Sequence, residues 1–357
     1  MERLYDKLKA YSESDFYAFH MPGHKRNKAL LGIELPYDLD ITEIDGFDDL
    51  HHADGILKEE QERAARVFGA EESHFLVNGS TAGILSAVMG CTHRGDKILV
   101  ARHCHKSIYH AIYMNGLVPR YVYPEFDISM HMNREISKED VAKALAAESD
   151  IKAVVIVSPN YDGVVSDVKG IAEVAHSYRI PLIVDEAHGP HFGFHPAFPG
   201  RANDLGADVV INSLHKTLPS LTQTAILHIN GKIVNRRRIK KYLDMLQSSS
   251  PSYIFMASLD ACVDFLDGKC ENAFELYVER LQKFREELEP LQHLQILRTE
   301  HYDISKVVIS TANANITSPE LADRLRKEYH LEMEMTGGTY VLAMTTVADT
   351  QEGLDRL

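Results

Sequence analysis

A series of short apolar runs, none of them alternating, punctuates the middle of the chain. They are His74–Val77, Lys97–Ala101, Arg120–Tyr123, Ala153–Val157, Pro181–Asp185, Asp208–Asn212 and Thr224–Ile229. A strand with one wet face alternates apolar and polar residues. These runs, rich in Val and Ile and bounded by polar or turn residues, mostly read as strands buried on both faces. Helical patterns lie between several of them, at Thr81–Cys91, Lys138–Ala147 and Lys169–Tyr178. Strand–helix alternation of this kind points to an α/β sheet of seven strands with helices on both sides. The run Thr224–Ile229 follows its predecessor too closely for a crossover helix, which leaves an antiparallel course open to it.

At 357 residues the chain exceeds one ordinary core and falls short of three, so two domains are expected. The expected division is an N-terminal segment 1–50, a large domain 51–270, a linking helix 271–288 and a smaller C-terminal domain 289–357. The linking helix is amphipathic, with Phe274, Tyr277, Leu281, Phe284 and Leu288 as its stripe. The smaller domain reads as α+β: a strand at Lys306–Thr311, a helix at Pro319–Tyr329 and a strand pair around the Gly337-Gly338 turn. Leu354 and Leu357 begin an apolar stripe that is not completed, so this domain is expected to be cut short.

Apolar residues at 45% and charged residues at 25% are the balance of a globular chain and exclude disorder. The formal charge of −14 argues against a general nucleic-acid or anionic-membrane partner and is compatible with a cationic substrate. The basic run Arg236–Lys241 reads as a helix face rather than a phosphate patch. No apolar run approaches the roughly 18–20 residues of a membrane span. The first 25 residues carry charges throughout and do not read as a signal peptide. Cys91, Cys104, Cys262 and Cys270 form no paired framework, and a reducing cytoplasm is the expected location. His51-His52 and His103-Cys104-His105 lack a second closely spaced pair of the kind zinc sites show, so no metal is expected.

In open α/β sheets, ligands bind beyond the carboxyl ends of the strands. Three clusters fall there. Asn78-Gly79-Ser80-Thr81-Ala82-Gly83 follows the first strand and opens a helix; it reads equally as an anion cradle or as an ordinary N-cap. Asp185-Glu186-Ala187-His188-Gly189 places a carboxylate at the end of the fifth strand, where it must be hydrated, paired or bound to a ligand cation. Ser213-Leu214-His215-Lys216-Thr217 follows the sixth strand and offers a lysine suited to Schiff-base chemistry. An amine, a carboxylate and an anion cradle are together what pyridoxal 5′-phosphate requires.

The order of these clusters resembles the ornithine/lysine/arginine decarboxylase family of fold-type-I pyridoxal-phosphate enzymes, in its shorter bacterial form. Further stretches carry the resemblance: Met21-Pro22-Gly23-His24-Lys25, Asp45-Gly46-Phe47-Asp48-Asp49-Leu50-His51, His105-Lys106-Ser107 and Ser248-Ser249-Ser250-Pro251-Ser252-Tyr253. The resemblance implies an aminotransferase-like large domain and a homodimer or higher oligomer with shared active sites. It implies decarboxylation of arginine, lysine or ornithine with pyridoxal 5′-phosphate. Lys216 would carry the cofactor, and Asp185 would pair with its pyridinium nitrogen. Gly79, Ser80, Thr81, Ser213 and His215 would hold the phosphate. His105 would stack on the ring and Ala187 pack against it, with His188 near its phenolic oxygen or the substrate. Ser248 or Ser249 would reach a neighbouring subunit's cofactor; His24 and Asp48 are weaker candidates, contributed in trans. The implied small domain is longer than the one present. An aminotransferase, another lyase on the same fold and a catalytically impaired cofactor-binding form remain the alternatives.

Overall fold

A computed structural model describes residues 2–128 and 130–357. Its strands are β1 (Glu72–Leu76), β2 (Lys97–Ala101), β3 (Val118–Val122), β4 (Phe126–Asp127), β5 (Met132–Asn133), β6 (Ile151–Val157) and β7 (Leu182–Asp185). Then come β8 (Val209–Asn212), β9 (Ala225–Ile229), β10 (Gln295–Ile296), β11 (Lys306–Ser310), β12 (Met335–Thr336) and β13 (Tyr340–Met344). The large sheet has seven strands in the order β1-β9-β8-β7-β6-β2-β3. These are the seven apolar runs, with ends moved by at most two residues. Pairing is parallel through β3, β2, β6, β7 and β8, while β9 runs antiparallel to both β8 and β1. The short Asn212-to-Ala225 connection holds only one helical turn, Leu214–Thr217, and cannot carry the chain back for a parallel strand.

Residues along each central strand feed two cores in turn. Ile98, Val100, Val209 and Ile211 face a cluster built with Ile84, Val88, Ile239 and Leu243 from the helices Gly79–Cys91 and Arg236–Leu246. Leu99, Ala101 and Val210 face the opposite cluster, with Val141, Leu145, Ile171 and Ala175 from the helices Lys138–Ala147 and Val168–Ser177. The non-alternating sequence follows directly from this two-sided burial. β3 departs from it. It is the edge strand, its residues Val118–Tyr121 are not buried, and Pro119 sits where a missing N–H costs no ladder bond.

A third cluster joins the N-terminal helix Leu4–Ser12 to the helices Ile56–Val67, Tyr253–Leu266 and Glu271–Glu287. The last of these buries Phe274, Tyr277, Leu281 and Phe284, four of the five expected stripe residues; Leu288 packs at its edge. Arg63 pairs with Glu60 and Asp260 inside this cluster. A four-stranded antiparallel sheet, β10-β11-β13-β12, follows. Its helix Ser318–Glu328 starts with a full capping box from Thr317 and Glu320, and Gly337-Gly338 lies in the β12–β13 hairpin. The basic run is the helix Arg236–Leu246, with Arg236 on Glu72 at 3.0 Å and Arg238 on the Thr92 carbonyl at 2.7 Å. No helix among the described residues is long and apolar enough to cross a membrane.

Candidate active site

The carboxyl ends of β1, β2, β6, β7 and β8 meet at one edge of the large sheet, and the connections leaving them enclose a cavity of about 580 Å³. Gly79, Ser80, Thr81, His105, Asp185, Ala187, His188, His215 and Lys216 all line it, so residues far apart in sequence converge as expected. A larger hollow of about 800 Å³ lies elsewhere, and its Lys138 is paired with Asp167 at 3.4 Å.

Lys216 sits on the single helical turn after β8. Leu214 and Thr217 on that turn are buried, which leaves His215 and Lys216 to face the cavity. Burial lowers the Lys216 pKa, against the opposing pull of Asp185 and Glu334. Its Nζ lies 2.9 Å from His188 Nε2. Asp185 ends β7, is 3% exposed, and accepts from the Ala187 N–H at 3.2 Å. Burial raises its pKa, while the Lys216 charge and that N–H restrain the rise. Its neighbour Glu186 is pushed up to about 8 by burial and accepts from Asn212 Nδ2 (3.0 Å) and the Ala202 N–H (2.9 Å), away from the cavity.

The N-terminus of helix Gly79–Cys91 forms the cavity's opposite wall. Asn78 stands at the N-cap but makes no cap: its Oδ1 accepts from the Ser248 N–H at 3.0 Å. The first turn therefore carries no side-chain cap, and Ser80 and Thr81 line the cavity from within it. The N-cap reading of the cluster is thus replaced by one in which the first turn is open to an anion. Gly83 brings this helix close to the sheet: a Cβ there would lie 2.6 Å from Leu76 Cδ1 and 3.2 Å from Ile211 Cγ2. Ser213, expected at the phosphate, is fully buried and is not among the residues that line the cavity; its Oγ has no hydrogen-bond partner among the described residues.

His105 caps the helix Lys106–Asn115, with Nδ1 receiving the Ser107 N–H at 3.3 Å and the Ser107 hydroxyl at 2.8 Å. Capping fixes the ring while leaving it on the cavity wall. Its pKa is lowered by burial and then by Lys216. His215 Nδ1 donates to the Thr224 carbonyl at 2.8 Å, which fixes that nitrogen as the protonated one. His188, 7% exposed, lies under Tyr161, ring centroids 4.7 Å apart, and its pKa is held well below the usual value by burial and by two lysines.

Other expected residues lie outside the cavity. Ser248 and Ser249 do not line it in their own chain, and the Ser248 hydroxyl is used by the Ser250 N–H at 3.2 Å. His24 stacks on Tyr37 at 4.3 Å and bonds Asp40 at 3.3 Å. Asp48 has a structural task instead. Its carboxylate receives the backbone N–H groups of Asp49, Asp54, Gly55 and Leu57 at 2.8–3.0 Å and of Lys58 at 3.4 Å, and so caps the helix Ile56–Val67. The thiol of Cys104 is pushed up to about 12 by burial, so it is no nucleophile. Cavity residues that the sequence reading missed include Tyr161, Gln223 and His103, whose buried Nδ1 is unpartnered among the described residues.

The arrangement fits pyridoxal 5′-phosphate on its own observations. On the cavity wall, a buried carboxylate with one N–H contact and a helix start without a side-chain cap each lack a partner that a pyridinium nitrogen or a phosphate would supply. Comparisons with known proteins identify the family. The profile described as Orn/Lys/Arg decarboxylase, major domain, matches residues 3–314. An arginine decarboxylase of Bacillus cereus is 34% identical over 99% of this chain and 80% of its own length. The crystal structure of the Francisella novicida lysine decarboxylase LdcF superposes with a TM-score of 0.84 at 20% identity, over 99% of this chain. This chain spans 58% of that one. An alanine–glyoxylate aminotransferase from Nostoc sp. shares the fold with a TM-score of 0.66 at 15% identity, over 84% of each chain.

Proposed function

The chain belongs to the ornithine/lysine/arginine decarboxylase family, and on that premise we propose that it removes the α-carboxylate of a basic amino acid as carbon dioxide, using pyridoxal 5′-phosphate held around Lys216. The observation that carries this reading is the convergence of the half-buried Lys216 and the buried Asp185 on one cavity whose far wall is an uncapped helix start. When bound, the cofactor supplies a carbonyl for an amine and a ring that accepts the electron pair left behind by carbon dioxide.

The chain's own groups do the rest. Burial favours the uncharged amine of Lys216, the form that attacks a carbonyl. Asp185 would hold a proton on the ring nitrogen. Ser80, Thr81, Ser213 and His215 would bind the phosphate, with Gly79 setting the turn that presents them. His105 and Ala187 would bracket the ring, and His188, with Nε2 2.9 Å from Lys216 Nζ, would exchange a proton with it. Glu334, which accepts a hydrogen bond from the cavity residue Tyr161, adds negative charge near Lys216 and favours a substrate with a cationic side chain. The N-terminal segment exposes Phe16, Tyr17, Phe19, Met21, Leu30 and Leu31, an apolar surface that supports a homodimer interface. Ser248 and Ser249 would act on the neighbouring subunit's cofactor across it.

Carbon dioxide and amine release from arginine, lysine and ornithine tests the reading, with Lys216→Ala as the control. Release from at least one of them, abolished in the variant, is expected. A keto acid and pyridoxamine phosphate without carbon dioxide would overturn it in favour of transamination.

A further inference from the structure

Lys306 opens β11, in the second sheet, yet it is fully buried. Its Nζ lies 3.2 Å from His188 Nδ1, and the other ring nitrogen of His188 is the one 2.9 Å from Lys216 Nζ. Among the described residues, His188 is the only side chain to which the Lys306 amine is hydrogen-bonded, and no carboxylate lies within ion-pair distance of it. The stem reaches this place because Gly163, at φ +104°, has no Cβ; one there would lie 2.7 Å from Lys306 Cγ. Lys306 is not a cavity-lining residue, so it acts through His188 rather than on a ligand.

We propose that Lys306 is the proton partner of Lys216, sharing one proton with it through the two ring nitrogens of His188. This deepens the proposed function and rests on Lys216 being the cofactor lysine. A neutral imidazole has one N–H and one lone pair. With an ammonium on both sides, its N–H would face a group that cannot accept, so both lysines cannot be charged at once without breaking a buried hydrogen bond. With one proton between them, both contacts are made. In one state Lys306 is the ammonium and donates to Nδ1, while the Nε2–H donates to the lone pair of the Lys216 amine. Transfer moves a proton from Lys306 to Nδ1 and the Nε2 proton to Lys216. The result is a neutral Lys306, a neutral His188 in the other tautomer, and a charged Lys216. Lys216 must lose a proton to attack a carbonyl, and Lys306 is where that proton is kept.

The charged and titratable groups facing the trio are Asp185, Asp162, Asp303 and Glu334, with Tyr161 packed on His188 and His105 and His215 on the cavity side. Asp303 Oδ1 is bound to His191 at 3.1 Å while its Oδ2 has no hydrogen-bond partner among the described residues, so its charge favours the ammonium form of Lys306 without an ion pair; Asp162 accepts from the Tyr340 hydroxyl at 2.6 Å. Burial lowers the Lys306 pKa to about 8 against the pull of Asp303, with added repulsion from Lys216. That repulsion is mutual, so the two titrations belong to the pair rather than to either lysine.

The test is the pH profile of adduct formation at Lys216 itself. Cofactor-free protein is mixed with pyridoxal 5′-phosphate, reduced with borohydride, and the Lys216 peptide quantified by mass spectrometry. The wild-type profile should rise in two coupled steps. Lys306→Met, which keeps the length and removes a buried charge, should give one step, its midpoint higher by about one to two pH units for a charge ~7 Å away at an effective dielectric of ~20. Lys306→Arg, a fixed cation that cannot give up its proton, should give one step near the lower wild-type midpoint. A merely structural lysine would change the melting temperature and leave the midpoint alone. A Lys306→Met midpoint equal to wild type, or a single-step wild-type profile, would overturn the inference even if a variant failed to fold. No adduct at Lys216 at any pH would overturn the cofactor reading, and this inference with it.

Discussion

Asp185→Asn should move the cofactor-free and cofactor-loaded proteins in opposite directions. In the free protein the Asp185 carboxylate is 3% exposed and receives one backbone N–H, at 3.2 Å. Burying an under-bonded polar group costs roughly 1–3 kcal/mol. Asparagine has the same shape and no charge to desolvate, although its amide brings two donors of its own, so it should stabilise the free protein by at most that amount. With an unfolding entropy near 2.1 cal/mol/K per residue, this corresponds to roughly 1–4 °C in melting temperature for a chain of this length. In the loaded protein the same carboxylate would pair with a protonated ring nitrogen. Removing one member of a buried charged pair costs about 3–5 kcal/mol, or roughly 10²–10⁴-fold in affinity. Calorimetric melting of the free protein and absorbance titration with pyridoxal 5′-phosphate give the two numbers. A variant that is less stable when free and binds the cofactor as well as wild type would refute the reasoning, because Asp185 would then be a structural residue.

Three other perturbations are specified by the structure. Glu186 has a folded pKa of about 8, raised by burial, so the stability it contributes is complete below its ordinary carboxylate value and is lost as pH rises toward 8. Glu186→Gln should flatten the fall in melting temperature over that window; an unchanged slope would count against the assignment. Asp48→Ala removes the acceptor for five backbone N–H groups, including those of Gly55, Leu57 and Lys58 at the start of helix Ile56–Val67, and should cost about 1–2 kcal/mol in urea unfolding. A loss within error would show that water replaces the cap. Gly83→Ala would place a methyl 2.6 Å from the buried Leu76 side chain. It should destabilise by about 1–3 kcal/mol despite alanine's better helix propensity and weaken cofactor affinity by moving the helix start; wild-type affinity would separate packing from the cradle.

The large sheet was legible because two-sided burial leaves a continuous apolar run, and seven such runs stand between turn residues. The edge strand β3 was read as well, although Arg120 and Pro119 mark it as exposed on one side. The cavity was legible because residues at the carboxyl ends of parallel strands must converge, whatever lies between them in sequence. Lys306 was not. A lysine before Val307-Val308-Ile309 looks like an ordinary wet start to a strand, and only the contact between the two sheets turns it inward. Asp48 shows the opposite failure. It lies in a stretch that marks the family, but its carboxylate faces backbone N–H groups up to ten residues ahead, a contact that no local spacing rule anticipates. The Asn78–Gly83 cluster reads equally as an N-cap or an anion cradle, and the residue at the cap position, Asn78, is engaged instead by Ser248, 170 residues away.

Peptide mapping of borohydride-reduced protein, after incubation with pyridoxal 5′-phosphate at neutral pH, tests the account at its centre. One adduct per chain, at Lys216 and absent from Lys216→Ala, is the predicted result. Adducts spread over surface lysines, or a specific adduct at Lys306 in place of Lys216, would contradict it.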